Sequence, residues 1–297
     1  MELNRDQATT LRSMVKSAAK NTASVTSKVI AVASGKGGAG KTNLVANLSI
    51  AFARMGRRVL ALDGDLGLAN LDLALGISPK YNVLDLLEQR ATIDEIITEA
   101  PEGVSVLPGC SGRFELANLS DQTRYNFFQA IDQLENRYDT LLIDTCAGIG
   151  SNAIEFAAAA QDVVVIANME PTSQADAYAF IKVLSNRSNI NRMYLVANMV
   201  RNLMEGEQVF KRLSGLAERF LGVSLVYIGC ILQDKHVSQS IQAGIPLLVA
   251  YPKSLASQCV ENIARKLVSE KIATHGGGIQ LFWKRFLEAD NNKQDRA

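Results

Sequence analysis

The chain is poor in the side chains that disulfide chemistry and most metal sites require. Its two histidines, His236 and His275, stand far apart in sequence and leave little for a histidine-based metal site. Its four cysteines, Cys110, Cys146, Cys230 and Cys259, show no CxxC spacing and read as small buried hydrophobes in a reducing compartment. Net charge is nearly absent as well. With 31 Lys and Arg against 30 Asp and Glu, the balance of +1 excludes a bulk electrostatic partner such as a nucleic-acid backbone. Any membrane contact must then be local, and no direct nucleic-acid binding is expected. No apolar run approaches the roughly 18 uncharged residues that span a bilayer. The opening stretch MELNRDQATTLRSMVK is polar with charges of both signs and does not read as a secretory signal, so the expected compartment is the cytoplasm.

What is present is apolar side chain, 47% of 297 residues, enough for a sizeable core in one large domain or two small ones. Composition divides the chain into three zones. Residues 1–27 are polar and end in the loop-like run NTASVTS, residues 28–270 alternate short apolar runs with helical patterns, and residues 271–297 open on a glycine-rich joint, THGGG. In the middle zone, short and nearly continuous apolar runs predict strands at 29–34, 58–63, 104–107, 140–144, 163–168, 193–198 and 225–231. Helical patterns at 42–55, 124–136, 172–185 and 205–220 separate many of them. Strand, helix and strand at this spacing predict an α/β fold with a doubly wound, mostly parallel sheet, whose ligands bind at the carboxyl ends of the strands.

Directly after the first predicted strand stands Gly35-Lys36-Gly37-Gly38-Ala39-Gly40-Lys41-Thr42, followed by a helix. This satisfies G-x-x-x-x-G-K-[ST] in its proper strand–loop–helix context. Glycines let backbone N–H groups turn inward around phosphate oxygens, and the helix N-terminus adds the positive end of its dipole. Lys41 can reach β- and γ-phosphates, and the Thr42 hydroxyl can ligate Mg²⁺. Lys36 is the unusual feature, a second cation that an ordinary phosphate loop does not need.

With that extra lysine, GKGGAGKT resembles the deviant Walker A box of the MinD/ParA family of P-loop ATPases, and the resemblance covers residues 28–268. It implies that ATP and Mg²⁺ are the cofactors, and that Gly35 through Asn43 bind the nucleotide. It further implies that Lys36 crosses a two-fold interface to the nucleotide of a second subunit, so that ATP is buried in a homodimer. The segment LDGDLGLANLD, 62–72, resembles the family's switch I. Asp65 matches the carboxylate that positions the attacking water, and Asp63 the one beside the Mg²⁺ shell. LIDTCAG, 142–148, resembles switch II; a carboxylate ending a buried apolar strand needs a partner, and hydrated Mg²⁺ supplies one for Asp144. Val196-Ala197-Asn198-Met199 matches a strand end whose Asn198 hydrogen-bonds adenine. Lys36, Lys41 and Asp65 are thus the expected catalytic set. Two positions depart from the family pattern: Cys146, where Gly, Pro or Ala is usual, and Leu232, where the adenine pocket usually has Pro.

The two ends choose within the family. Leu11, Met14, Val15 and Ala18 make one helical stripe, suited either to docking on the chain's own domain or to a partner's groove. The motif DQAxxLR around it, Asp6-Gln7-Ala8 to Leu11-Arg12, resembles the flagellar-number branch of the family (FlhG/FleN). There the segment activates an FlhF-type, signal-recognition-like GTPase, which makes Asp6, Gln7, Leu11 and Arg12 the expected partner contacts. A flagellar transcription regulator or basal-body proteins are further partners that the resemblance admits. At the other end, Ile279, Phe282, Trp283, Phe286 and Leu287 gather on one helical face beside Lys284 and Arg285. Core packing is one reading. The glycine joint, the bulky aromatics and the cations instead suggest a helix lying on a membrane surface. With the family resemblance included this is the expected reading, and the resemblance implies an anionic membrane, at the inner face of the cell membrane and at the cell pole. The alternatives within the family are a septum-site-determining ATPase of the MinD type and a ParA-type partition ATPase, and an interaction scaffold with dead nucleotide chemistry is disfavoured by the intact Lys41, Thr42, Asp65 and Asp144.

Overall fold

Eight strands form one sheet in the computed structural model of the chain, which describes residues 27–65, 70–109, 121–188, 190–269 and 278–294. They are β1 (Lys28–Ala33), β2 (Val59–Gly64), β3 (Thr98–Ala100), β4 (Val104–Leu107), β5 (Thr140–Thr145), β6 (Asp162–Ala167), β7 (Arg192–Val200) and β8 (Ser224–Leu232). Their order across the sheet is β3-β4-β2-β5-β1-β6-β7-β8, parallel throughout except for the antiparallel edge strand β3. The seven strands expected from apolar runs are all there. The one not foreseen, β3, has three residues and reads TEA, too short and too polar to carry an alternation.

The runs are continuous rather than alternating because both faces of the sheet are covered. Along β1, Val29, Ala31 and Ala33 enter one apolar layer while Ile30 and Val32 enter the other. One layer is closed by α1 (Lys41–Arg54), α2 (Leu71–Leu75), α10 (Leu247–Ala250) and α11 (Leu255–Ser269), with α9 (Lys235–Ala243) at its margin. The other is closed by α3 (Val83–Leu87), α4 (Ile93–Ile96), α5 (Asp121–Asp132), α6 (Ser151–Ala159), α7 (Pro171–Arg187), α8 (Leu203–Leu221) and α12 (Ile279–Gln294). Because β1 lies between β5 and β6, the chain reverses winding direction there, and the loop after β1 occupies the crevice where such sheets bind ligands.

The C-terminal helix corrects an expectation. Ile279, Phe282, Trp283 and Phe286, expected to face a membrane, are 0%, 1%, 3% and 4% exposed and belong to the core. Phe286 stacks on Phe156 of α6 with ring centroids 4.2 Å apart, and Trp283 meets Phe127 of α5 edge-on at 5.1 Å. The physical reason is that α5 and α6 leave aromatic surface on the sheet that needs a cover, and α12 supplies it. The start of the helix is anchored as well. Glu135 accepts a hydrogen bond from the Gln280 N–H at 2.8 Å, and a Cβ on Gly278, whose φ is +125°, would sit 2.3 Å from that carboxylate. A boundary at residue 271 therefore does not set off an independent tail. The Leu287 side chain lies outside the described residues, as do Asp6, Gln7, Leu11 and Arg12. Among the described residues no helix is long and apolar enough to cross a membrane.

Phe282→Ala is expected to lower the unfolding free energy by about 3–5 kcal/mol, the usual cost of emptying an aromatic core site. Lys284→Ala, on the exposed face of the same helix, should stay within about 0.5 kcal/mol. Urea denaturation decides it: a parental midpoint for Phe282→Ala would show that α12 is not part of the core.

Candidate nucleotide site

Register brings the site together before any side chain acts. Asp63 of β2 pairs in register with Asp144 of β5, and Asp144 in turn with Val32 of β1. The carboxyl ends of three neighbouring parallel strands thus place two carboxylates beside the loop that leaves β1. That loop turns into α1 through Gly40, which adopts φ +94°; no side chain caps the helix, so its first N–H groups remain available to an anion. A Cβ on Gly40 would meet the Asn198 amide at 2.3 Å, and one on Gly35 would overlap the Asp176 backbone of α7 at 2.0 Å. These glycines hold the loop tightly between two other elements.

Lys41 is buried at the start of α1 and faces Asp144. Asp144 is 2% exposed, and its Oδ1 has no hydrogen-bond partner among the described residues. Burial pushes its carboxyl up to about 7, against the opposing pull of the Lys41 charge and a hydrogen bond donated by the Thr42 hydroxyl, with Asp63 and Asp65 adding repulsion. A buried, half-satisfied carboxylate beside a threonine hydroxyl is what a hydrated divalent cation would complete. No three His, Cys, Asp or Glu side chains converge to hold a metal among the described residues. A carboxylate and a hydroxyl are oxygen donors, which suit a hard cation such as Mg²⁺ that takes its remaining ligands from phosphate and water.

Asp63 has a second occupation. One oxygen accepts from the Asp65 N–H and the other from the Asn70 and Leu71 N–H groups, all at 3.0 Å, so it fixes the backbone at Asp65 and at the start of α2. Burial still raises its carboxyl to about 6 against those hydrogen bonds. With three amide donors already on it, a place beside the Mg²⁺ shell is left only its remaining lone pairs. Asp65 follows directly at the end of β2, half-buried, its backbone fixed by Asp63. Cys146 departs from expectation in a specific way: it is half-buried, and its thiol donates to the Gly64 carbonyl at 3.2 Å, tying switch II to the end of β2. Of the other cysteines, Cys230 is buried, Cys259 is half-buried and Cys110 lies outside the described residues.

On the far side of the loop a 470 Å³ cavity is lined by Gly40, Asn43, Asn198, Met199, Ile231 and Leu232, among others. Asn198 Nδ2 donates to the Ala39 carbonyl at 2.8 Å, and its Oδ1 accepts from the Met199 N–H at 2.9 Å. An amide has two donor hydrogens and two acceptor lone pairs, so among the described residues one of each is still open. An adenine edge asks for that pair, an N6–H donor beside a ring-nitrogen acceptor. Leu232 fills the wall where the family pattern has proline and leaves the cavity open.

Lys36 does not join Lys41. Its amine is ion-paired with Glu170 and bonds the Thr172 hydroxyl at 3.2 Å, on the turn that opens α7. The sequence reading assigned neither Glu170 nor Thr172 a role. Their signal was present, a carboxylate and a hydroxyl just beyond the apolar run of β6, at the strand end where such sheets bind ligands.

Fold and site together define a P-loop nucleotide hydrolase with a two-lysine phosphate loop. The profile of the AAA domain family matches residues 27–194. The chain is 38% identical over 262 residues to the antiactivator FleN of Pseudomonas aeruginosa, covering 88% of this chain and 94% of FleN. It is 34% identical over 267 residues to the flagellum site-determining protein YlxH of Helicobacter pylori, covering 88% and 90% of the two chains. The fold matches the septum site-determining protein MinD of Pyrococcus horikoshii, solved with Mg-ADP, with a TM-score of 0.64 at 25% identity over 82% of this chain and 96% of that one. It also matches a chain of the MinC:MinD complex of Aquifex aeolicus, with a TM-score of 0.63 at 28% identity over 85% and 100%. The chain belongs to the MinD/ParA family of P-loop ATPases.

The raised Asp144 carboxyl has a stability consequence. Because its folded-state value lies above the unfolded one, the folded protein without nucleotide holds the proton more tightly; stability is fully present below pH ~4, is lost as pH rises to about 7, and is level beyond. At about 1.4 kcal/mol per pKa unit, the loss reaches on the order of 4 kcal/mol. Asp144→Asn should therefore raise the melting temperature at pH 8 more than at pH 4, and abolish the further stabilisation by Mg²⁺ with ADP. Thermal melts across pH, with and without Mg-ADP, test both halves; a variant less stable at pH 8 would refute the burial argument.

Proposed function

We propose that this chain is an ATPase that dimerises on ATP and regulates flagellar number and placement. The observation that carries the reading is the 38% identity to FleN over nearly the whole chain, joined to a site in which Lys41, Thr42 and the half-satisfied Asp144 converge at the strand ends. Lys41 and the N–H groups of the loop would bind the β- and γ-phosphates, and Thr42 and Asp144 are the residues that would hold Mg²⁺. When bound, the metal neutralises charge on the phosphate oxygens. Asn198 presents its open donor and acceptor to adenine. Asp65, held at the end of β2, orients the attacking water. This relies on positioning more than on a strong base, so turnover is slow.

The dimer reading is supported by the two cations of one loop facing different ways. Lys41 is turned inward on Asp144, whereas Lys36 is held on the outer side by Glu170. In this reading Lys36 exchanges that contact for the phosphate of a second subunit. The exposed Ile149, Met199, Leu203 and Met204 give the surface an apolar component suited to a second copy. Asp6, Gln7, Leu11 and Arg12 are proposed to activate an FlhF-type GTPase. Because the aromatic face of α12 is buried here, association with an anionic membrane at the cell pole is proposed to require release of that helix from α5 and α6.

Lys41→Ala should abolish nucleotide binding, whereas Lys36→Ala should keep binding and lose dimerisation with ATP. Sedimentation velocity with ATP and Mg²⁺ separates the two, and a normal Lys36→Ala dimer would remove the trans-acting lysine. Deleting residues 1–22 should leave ATP hydrolysis intact and abolish stimulation of the partner GTPase. Parental stimulation by the truncated chain would sink the proposed role of the N-terminal segment.

A further inference from the structure

We propose that Gln233 is a positioning residue for the nucleotide base: it holds a strained corner at the end of β7, and that corner aims the Asn198 amide into the cavity beside the phosphate loop. The corner is a bulge. β7 and β8 pair as Ala197 with Cys230 and resume as Val200 with Leu232, so Asn198 and Met199 together stand opposite Ile231 alone. An extra residue of this kind re-aims a side chain that regular pairing would turn elsewhere. The consequence falls on Met199, whose φ is +57°. Glycine enters that left-handed region freely, whereas a residue with a Cβ enters it against steric resistance. Such a conformation persists only where its surroundings hold it, and ligand clamps are among the places where it collects.

Gln233 supplies the hold from the β8 side. It is the first residue beyond that strand, and it donates its Nε2 to the Met199 carbonyl at 3.1 Å and its backbone N–H to the Val200 carbonyl at 2.8 Å. The side chain grips the strained residue and the backbone the one after it. On the other side the corner bears on the phosphate loop. Asn198 Nδ2 reaches the Ala39 carbonyl, and a Cβ on Gly40 would lie 2.3 Å from that nitrogen and 3.8 Å from Met199 Cε. Asn198 Oδ1 accepts from the Met199 N–H, so rotation of the peptide between them would turn the amide as well. The hold is chemically specific, since a glutamate at position 233 has no donor for the Met199 carbonyl. Gln233 is exposed, so its amide can be removed without emptying the core.

This inference rests on the reading in which Asn198 takes the adenine edge. It adds that the preference for adenine is governed from Gln233 through backbone conformation. One hydrogen bond of ordinary net strength amounts to about two- to twelvefold in affinity. Glycine at position 199 would make the hold superfluous, because the left-handed conformation then meets no Cβ. Guanine presents the reverse donor and acceptor pattern, so a guanine nucleotide draws little on the Asn198 amide.

The test is isothermal titration calorimetry of the full chain with Mg-ADP and with Mg-GDP. Gln233→Ala and Gln233→Glu should each weaken Mg-ADP about two- to twelvefold and Mg-GDP less, so that the preference for adenine falls. In a Met199→Gly background, Gln233→Ala should change Mg-ADP affinity by less than about twofold, the range expected of uncoupled positions. Parental Mg-ADP affinity in Gln233→Ala would overturn the hold, and an equal loss for both nucleotides would overturn its bearing on the base. A full loss that persists in the Met199→Gly background would show Gln233 meeting the base directly and overturn the positioning role. An Asn198→Ala chain that keeps its whole preference for adenine would instead refute the reading of Asn198, whatever Gln233→Ala does.

Discussion

The in-register ends of β1, β2 and β5 are the constraint on which the site depends. Parallel pairing places Asp63 beside Asp144 and Asp144 beside Val32, so the carboxylates and the phosphate loop converge without any long side chain having to reach. The cost of that convergence is written in Asp63 and Asp144, both buried and both pushed up in pKa by desolvation. Neither would persist as a buried anion without compensation. Asp63 finds it in three backbone amides, while among the described residues Asp144 has Lys41 and Thr42 and keeps an oxygen open. The difference separates a carboxylate that builds a loop from one poised for a cation.

Around this centre the walls are made by close approach rather than by bulk. Gly35 and Gly40 let the loop lie directly on α7 and on Asn198, and Cys146 ties the switch II strand end to Gly64. The loop thus senses three elements at once, the start of α7, the end of β7 and the switch region. A displacement of any of them would press on the loop, because close packing leaves little slack. The two lysines of one loop divide the labour: one is buried and committed, the other held on an exposed carboxylate from which it can leave.

The C-terminal helix shows the same economy of surface. Its aromatic face closes the apolar layer over α5 and α6, and a chain that used that face for lipid would expose Phe127 and Phe156 in exchange. In this structure the rings are committed to the core, so the proposed membrane contact through that face would compete with core packing.

Local chemistry was legible in the sequence. The phosphate loop, the strand-ending carboxylates and seven of the eight strands could be read directly, because short apolar runs and glycine spacing act within a few residues. Asn198 could be placed at a strand end, and Lys36 could be seen as one cation too many. What the sequence could not decide was what each group faces. The amphipathic helix at 279–287 is the same pattern whether it meets lipid or Phe156, since periodicity records that a face is apolar and not what covers it. Nor could spacing reveal that Glu170, 134 residues beyond Lys36, is its partner, or that Asp63 is occupied by amides while Asp144 is left open. The sequence alone therefore determined which chemistry is carried and at which strand ends. The tertiary structure decided which of those groups are already satisfied and which still await a ligand, because satisfaction depends on contacts between segments that no local pattern encodes.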